Sequence, residues 1–109
     1  MFKTNEYYVK DIITNLDFII DHMLGKTKEE LEQDEVLTDS MVFRLIQISE
    51  TSKNLSDEFK DEHSDIPWND ITALRNRLVH DYGNVDMSIV FDTLTKDIPE
   101  LKEQIEKVL

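Results

Sequence analysis

The chain has 109 residues, among them two glycines, two prolines and no cysteine, and it carries a formal net charge of -12. Its length fits one domain spanning residues 1–109, and so few turn residues exclude an all-β fold and favour long helices. The absence of cysteine excludes a disulfide framework and a thiolate nucleophile, and it indicates a cytoplasmic protein. No apolar run reaches the roughly 18 residues of a membrane span, so no membrane association is expected.

The charge is unevenly distributed along the chain. A net charge of -12 argues by itself against binding to nucleic acid, because an acidic surface repels phosphate. The acids are concentrated in Glu29–Asp39 and Asp57–Asp65, however, whereas Ile71–His80 contains Arg75 and Arg77 but no acid. This segment is either a solvated helix face with a chance gap in its acids or a basic site, and charge alone favours the first interpretation.

Apolar residues at helical spacing predict two long helices in the first half of the chain. The first runs from Thr4 to about Leu24, and Gly25 follows it as a C-cap glycine. Residues 26–36 are mostly charged and predict a loop with a short helical turn. The second helix is predicted to start at Thr38–Ser40, where three N-cap residue types are adjacent, and to extend to about Lys60.

Three further helices are predicted in the second half. Pro67 can open the third helix, which is expected to run to His80–Tyr82 and to stop at Gly83. The fourth and fifth helices are predicted to be capped or started by Asp86 and Asp97. The resulting architecture is an all-α antiparallel bundle of four to five helices, in which the two longest helices run in opposite directions.

The segment that could carry chemistry lies at the end of the third helix. On a regular helix His80 points roughly 160–200° away from the apolar stripe, and Asn76 is four residues before it and can hold its ring. Arg75 is five residues before His80, which places the two about 140° apart. They can reach one target if the helix unwinds near Gly83, or if two copies of the chain share a symmetric cleft.

Simpler interpretations exist for each of these residues. Arg75 and Arg77 are also compatible with an ordinary solvated face, and His80 with a plain surface histidine. Tyr82 can be a half-buried aromatic at the helix end. Trp68 fits a core or interface anchor. Spacing alone therefore leaves the function of this segment open.

The stretch Arg75–Tyr82 (RNRLVHDY) resembles the Arg-x4-His-x-Tyr signature of HepT-like proteins, a branch of the HEPN superfamily. Three other features are similar to that family: the Ile66-Pro67-Trp68 lead-in, the Ser49-Glu50 pair and the Asp97-Ile98-Pro99 segment. The resemblance covers most of the chain, and it implies a HEPN-like helical bundle that forms a two-fold homodimer with the motif in a cleft between subunits.

The resemblance also implies a function and the residues that perform it. HepT-like proteins are toxins that cut RNA without a metal or another cofactor, and their partner is a minimal nucleotidyltransferase antitoxin. Arg75 and His80 are the catalytic residues by this resemblance, and Asn76 and Glu50 support them. Tyr82 matches the tyrosine to which the antitoxin attaches AMP. The expected substrate is tRNA or mRNA, cleaved through its own 2′-hydroxyl, which excludes DNA.

Two other functions remain as alternatives to the RNA endonuclease. The chain could be a non-catalytic nucleotide-binding or adaptor subunit of a nucleotidyltransferase complex, in which the motif only binds phosphate. It could also be a helical dimerisation module. The nuclease requires His80, the adaptor requires Arg75 and tolerates the loss of His80, and the dimerisation module requires neither.

Overall fold

The computed structural model describes residues 3–80 and 84–108, without the side chains of residues 79, 80, 84 and 85. Most of this part of the chain is helical, as the sequence predicts. The elements in chain order are α1 Asn5–Met23, α2 Lys28–Gln33, α3 Glu35–Ser52, α4 Asp57–Glu62, α5 Trp68–Leu78, β1 Val79–His80, β2 Asn84–Val85, α6 Met87–Asp92, a π-helical segment Thr93–Asp97, and α7 Ile98–Glu106.

Helix α1 confirms the prediction for the N-terminal segment. The Thr4 side chain accepts a hydrogen bond from the Tyr7 backbone N–H at 3.1 Å and caps the helix. The chain leaves the helix through Gly25, whose φ of 74° is a left-handed conformation that glycine adopts without strain. The helix buries one face in the core, formed by Val9, Ile12, Leu16, Ile19 and Met23.

The segment that follows is more helical than predicted. Thr27 and Glu30 form a reciprocal capping box that starts α2, and the Leu31 side chain of this helix is fully buried. The Asp34 carboxylate then accepts from the Leu37 N–H at 3.0 Å and starts α3 at Glu35. The predicted start at Thr38–Ser40 is therefore wrong, because an earlier cap is available.

Helix α3 ends at Ser52, so the predicted extension to about Lys60 is also wrong. Ser56 causes a new start: its hydroxyl accepts from the Phe59 N–H at 3.1 Å and caps the short helix α4. Its own N–H donates to the Asn5 side chain at 3.0 Å, which fixes the break to the beginning of α1. The apolar spacing continues across the break, since Leu55 is still buried.

The two longest helices, α1 and α3, are antiparallel as predicted. Hydrogen bonds between side chains link α1 to α3 and to Ser56, which follows α3. As the residue number of the α1 partner increases, that of the other partner decreases. The ties are Asn5 to Ser56 at 3.1 Å, Asp11 to Thr51 at 3.0 Å and Asn15 to Arg44 at 3.0 Å.

The C-terminal helices form one continuous rod rather than two separate helices. Asp86 caps α6 as predicted, accepting from the N–H groups of Ser88 and Ile89. The helix then widens into the π-helical segment and continues as α7, so the predicted new start at Asp97 is wrong. A proline disrupts the i to i−4 hydrogen bonding of a helix, and the π-helical segment ends two residues before Pro99.

Helix α5 ends earlier than predicted. It stops at Leu78, and the next two residues form β1, which pairs with β2 in an antiparallel register of Val79 with Val85 and His80 with Asn84. The prediction of a helix to His80–Tyr82 is therefore wrong, because a strand pairing takes over the backbone at Val79. Tyr82 and Gly83 lie outside the described residues.

A contiguous core joins the helices. Its members come from α1, α2, α3, α5, α6, the π-helical segment and α7, and the fully buried side chains include Leu16, Leu45, Ile48, Leu78, Leu94 and Ile105. None of the helices in residues 3–80 and 84–108 has the length and apolar character required to cross a bilayer.

Candidate active site on helix α5

The start of α5 is fixed by Trp68. This side chain is buried, and its indole N–H donates to the His63 backbone oxygen at 3.0 Å. The Ile71 N–H donates to the Pro67 oxygen at 3.1 Å, so Pro67 directly precedes the first turn, as predicted. The buried Trp68 side chain and its hydrogen bond therefore fix the N-terminal end of the helix that carries the motif.

Helix α5 packs on α3 through an apolar and a hydroxyl contact. Ile71, Leu74 and Leu78 are buried along one face, which is the stripe that the sequence predicts. Beside them, the buried Ser49 hydroxyl donates to the Thr72 backbone oxygen at 2.9 Å. These contacts fix the rotation of α5 about its axis, and so they determine which side chains face outward.

Arg75 faces outward beside the end of α3. Its Nε lies 4.0 Å from the Glu50 carboxylate, and about half of each side chain is exposed. The same carboxylate contacts the Lys53 ammonium at 3.2 Å. Among the described residues, the Glu50 carboxylate therefore lies between two cations, Arg75 and Lys53. Glu50 is among the predicted supporting residues and Lys53 is not, although the three-residue spacing between them on a helix is a sequence signal for their contact.

Arg77 lies on a different side of α5. Two residues along a helix correspond to a rotation of about 200°, so Arg75 and Arg77 point in nearly opposite directions. Arg77 lines a groove of about 320 Å³ between α5 and α7, which has an apolar floor and also contains acids on its rim. The basic segment of the sequence is therefore divided between two surfaces.

The helical geometry predicted for Asn76 and His80 is wrong. Asn76 is exposed in the last turn of α5. Because α5 ends at Leu78, His80 belongs to β1, and neither the four-residue helical stack on Asn76 nor the wheel angle of His80 applies. On a regular helix Arg75 and His80 would point about 140° apart. The helix ends before His80, and unwinding of the helix is one of the two predicted ways in which both residues can reach one target. The His80 side chain lies outside the described part of the chain.

Tyr82, the predicted modification site, also lies outside the described residues. Among the residues that the structure describes, no three His, Asp or Glu side chains come together in a way that could hold a metal ion. The described site thus consists of Arg75, Glu50 and Lys53, with Asn76 next to them.

Comparison with known proteins identifies the class of this helical bundle. The family profile named Ribonuclease HepT-like matches residues 12–108, and the chain belongs to this family. The predicted resemblance is thereby confirmed.

Individual relatives agree with this assignment. A protein of Caldanaerobacter subterraneus subsp. tengcongensis named "Putative RNase" is 37% identical over 107 residues, which cover 98% of this chain and 96% of the relative. A protein of Thermococcus cleftensis named "Probable ribonuclease HepT" is 31% identical over 99% of this chain and 98% of its own length. No solved structure matches the chain.

Proposed function

We propose that residues 1–109 form a single HepT-like domain that works as a homodimeric, metal-independent RNA endonuclease in the cytoplasm, and that it is the toxin of a toxin–antitoxin pair. The observation that carries the proposal is the position of Arg75. It stands exposed beside the Glu50–Lys53 pair, on the last turn before α5 gives way to the strand of His80. Family membership supports the same reading.

The proposed reaction uses the nucleophile that RNA itself contains. The 2′-oxygen attacks the adjacent phosphorus, the bond from phosphorus to the 5′-oxygen breaks, and a 2′,3′-cyclic phosphate and a free 5′-hydroxyl are formed. One His80 imidazole removes the 2′-proton and another protonates the leaving oxygen, and general acid–base catalysis of this kind contributes roughly 10²–10⁴-fold to a rate. The Arg75 guanidinium binds the non-bridging oxygens, where negative charge accumulates.

Two imidazoles are needed for this scheme, and a two-fold dimer supplies them. In a symmetric pair the motif of each copy faces the same cleft, so that Arg75 and His80 are each present twice. Asn76 is proposed to support the His80 ring. Glu50 is proposed to position Arg75, and the 4.0 Å contact between their side chains supports that role.

The proposed antitoxin is a minimal nucleotidyltransferase that attaches AMP to Tyr82. A phosphodiester at this position adds negative charge and acceptor oxygens close to the motif in sequence. These groups compete with RNA for Arg75, so modification turns the nuclease off without unfolding it.

Cleavage of RNA by purified protein tests the catalytic assignment. Arg75→Ala is expected to lower kcat/KM by roughly 10²–10³-fold, and His80→Ala by at least about 10²-fold. Arg77→Ala is the matched control, because it removes the same charge from the same helix and is expected to leave the rate nearly unchanged. Addition of a chelator is expected to have no effect, and the same oligonucleotide made of DNA is expected to stay intact.

Equal activity of the wild type and His80→Ala would overturn the proposed acid–base role. If Arg75→Ala abolishes RNA binding while His80→Ala has no effect on any activity, the adaptor function is correct instead. Co-expression with a minimal nucleotidyltransferase antitoxin is expected to relieve growth arrest by the wild type but not by Tyr82→Phe. Mass spectrometry of the co-expressed wild type then detects AMP on Tyr82.

A further inference from the structure

A second arrangement of cationic and aromatic groups lies on the other side of α3 from Arg75. The Arg44 guanidinium carbon is 3.8 Å from the centre of the Phe18 ring. The His22 ring is stacked on Phe18 with a centroid distance of 3.9 Å and an interplanar angle of 24°. Two planar groups this close to one ring must occupy its opposite faces. Arg44, Phe18 and His22 therefore form a three-layer stack, which we call the Arg44 stack.

Hydrogen bonds fix the orientation of the outer layers. Asn15 is buried, and its amide N–H donates to the Asp11 backbone oxygen at 3.1 Å, so that its carbonyl oxygen accepts from Arg44 Nη1 at 3.0 Å. His22 Nδ1 donates to the Phe18 backbone oxygen at 2.8 Å, because a carbonyl can only accept. Nε2 is then at the free end of an exposed ring. The stack is preorganised before any ligand binds.

The charge of Arg44 is available to an anion. In the part of the chain that the structure describes, its contacts are a neutral amide and an aromatic face rather than a carboxylate. Two acids of α1 have other partners: Asp11 accepts from the Thr51 hydroxyl, and Asp17 contacts the Lys102 ammonium. Arg44 therefore keeps a positive charge that no carboxylate among the described residues neutralises.

A short nucleic-acid strand can connect the Arg44 stack to Arg75. Arg44 and Glu50 are six residues apart on α3, which corresponds to a rise of about 9 Å along a helix that is roughly 10 Å wide. Glu50 contacts Arg75. A few nucleotides of one extended strand cover this distance. The surface between the two arginines includes Phe43, an exposed aromatic side chain.

We propose that the Arg44 stack is a binding subsite for single-stranded RNA, on the flank of α3 opposite Arg75. The Arg44 guanidinium binds a backbone phosphate, and an unpaired base stacks on the outer face of His22 or of Arg44. Cations and stacking surfaces together are the usual means of holding single strands without sequence preference. The inference rests on the proposed RNA cleavage for its biological meaning, but the binding itself is measured independently.

Fluorescence anisotropy with a labelled single-stranded RNA of about ten nucleotides, within the site sizes of single-strand binders, tests the subsite. The measurements use a His80→Ala background, so that cleavage does not interfere. Arg44→Ala and His22→Ala are each expected to raise Kd roughly tenfold, which is within the range for the loss of one stacking or cationic contact. Lys96→Ala is the control, because it changes the net charge by the same amount at an exposed site on the π-helical segment.

The salt dependence distinguishes a phosphate contact from a structural role. Arg44→Ala is expected to reduce the slope of log K against log salt by about 0.7, the value for one phosphate contact on a single strand. His22→Ala keeps the experiment decisive if Arg44→Ala loosens the contact of α1 with α3, because His22 is exposed and makes its hydrogen bond within its own helix. Unchanged Kd in His22→Ala together with an unchanged salt slope in Arg44→Ala overturns the inference.

Failure of the subsite and failure of the nuclease proposal give different results. Suppose that the wild type cleaves RNA, and that Arg44→Ala cleaves both a ten-nucleotide substrate and a dinucleotide as well as the wild type does. The subsite is then absent, while the nuclease proposal stands. The subsite predicts a roughly tenfold loss of kcat/KM on the longer substrate only. If the wild type binds RNA through Arg44 but does not cleave it, the subsite stands and the nuclease proposal fails.

Discussion

The seam between α1 and α3 and the last turn of α5 are built in different ways. Along the seam, buried apolar side chains are accompanied by hydrogen bonds that tie one helix to the other from Asn5 to Asn15. At the end of α5, the charged side chains are exposed, and Arg75 lies 4.0 Å from the Glu50 carboxylate. The seam holds the two longest helices together, whereas the exposed charged contacts at the end of α5 add little to the stability of the fold.

The buried face of α5 contributes to the stability of the fold, as the seam does. Leu78→Ala is expected to have the largest effect on stability. Leu78 is fully buried at the last residue of the helix. Its truncation is expected to lower the free energy of unfolding by about 2–5 kcal/mol, through lost burial and the remaining cavity. Urea unfolding measures the change. Val36→Ala is the control, since Val36 is 77% exposed, and its effect is expected to stay within about 0.5 kcal/mol.

Asp86 and Asp97 each precede a helix, but they differ in whether their side chains cap it. Asp86 accepts two backbone hydrogen bonds at the start of α6, whereas Asp97 makes no capping hydrogen bond at the start of α7. Asp86→Ala is expected to cost about 1 kcal/mol of unfolding free energy. Asp97→Ala is expected to cost less than about 0.5 kcal/mol. Equal losses for the two variants would mean that α7 starts as an independent helix, as the sequence suggests.

The sequence predicts those parts of the fold that depend on local burial and capping. The apolar stripe of α1 can be predicted because a helix that packs on a core repeats its apolar residues with the helical period. The glycine after α1 and the cap at Asp86 can be predicted because each is a residue type that favours a helix end. The capping box of Thr27 and Glu30 is also a local sequence pattern, and it could have predicted the start of α2.

The remaining parts depend on contacts between distant residues. The end of α3 is fixed by a hydrogen bond between Asn5 and Ser56, 51 positions apart, and apolar spacing gives no sign of it. The end of α5 depends on pairing with Asn84–Val85. At the site, helical geometry alone separates Arg75 from Arg77, but the contact of Arg75 with Glu50 requires the packing of α5 on α3.

Glu50→Ala tests whether the exposed charges at the end of α5 serve function rather than stability. Loss of the carboxylate is expected to lower kcat about fivefold, equivalent to about 1 kcal/mol for a charge contact in water near 4 Å. The unfolding free energy is expected to change by less than about 0.5 kcal/mol, because the contacts of Glu50 are exposed. Glu50→Gln is expected to lower kcat by a similar factor, because it removes the same charge and the 4.0 Å contact with Arg75 is electrostatic rather than a hydrogen bond. A large loss of stability with unchanged kcat would show a purely structural role.

The smallest expected effect concerns an ion pair between α1 and α7. The hydrogen bond from the Lys102 ammonium to Asp17 raises the pKa of Lys102 above 10.5, and Glu106 adds to the effect. Because the pKa is raised in the folded state, the pair stabilises the protein fully below pH 10.5 and loses its contribution as the pH rises through the folded-state pKa. The difference in urea midpoint between the wild type and Lys102→Gln is therefore expected to be constant from neutral pH to about pH 9 and to shrink above pH 10.5. Lys96→Gln, which removes a cation from a more exposed pair, is expected to show almost no difference at any pH. A difference for Lys102→Gln that grows at alkaline pH would mean that the ammonium does not stabilise the contact between α1 and α7.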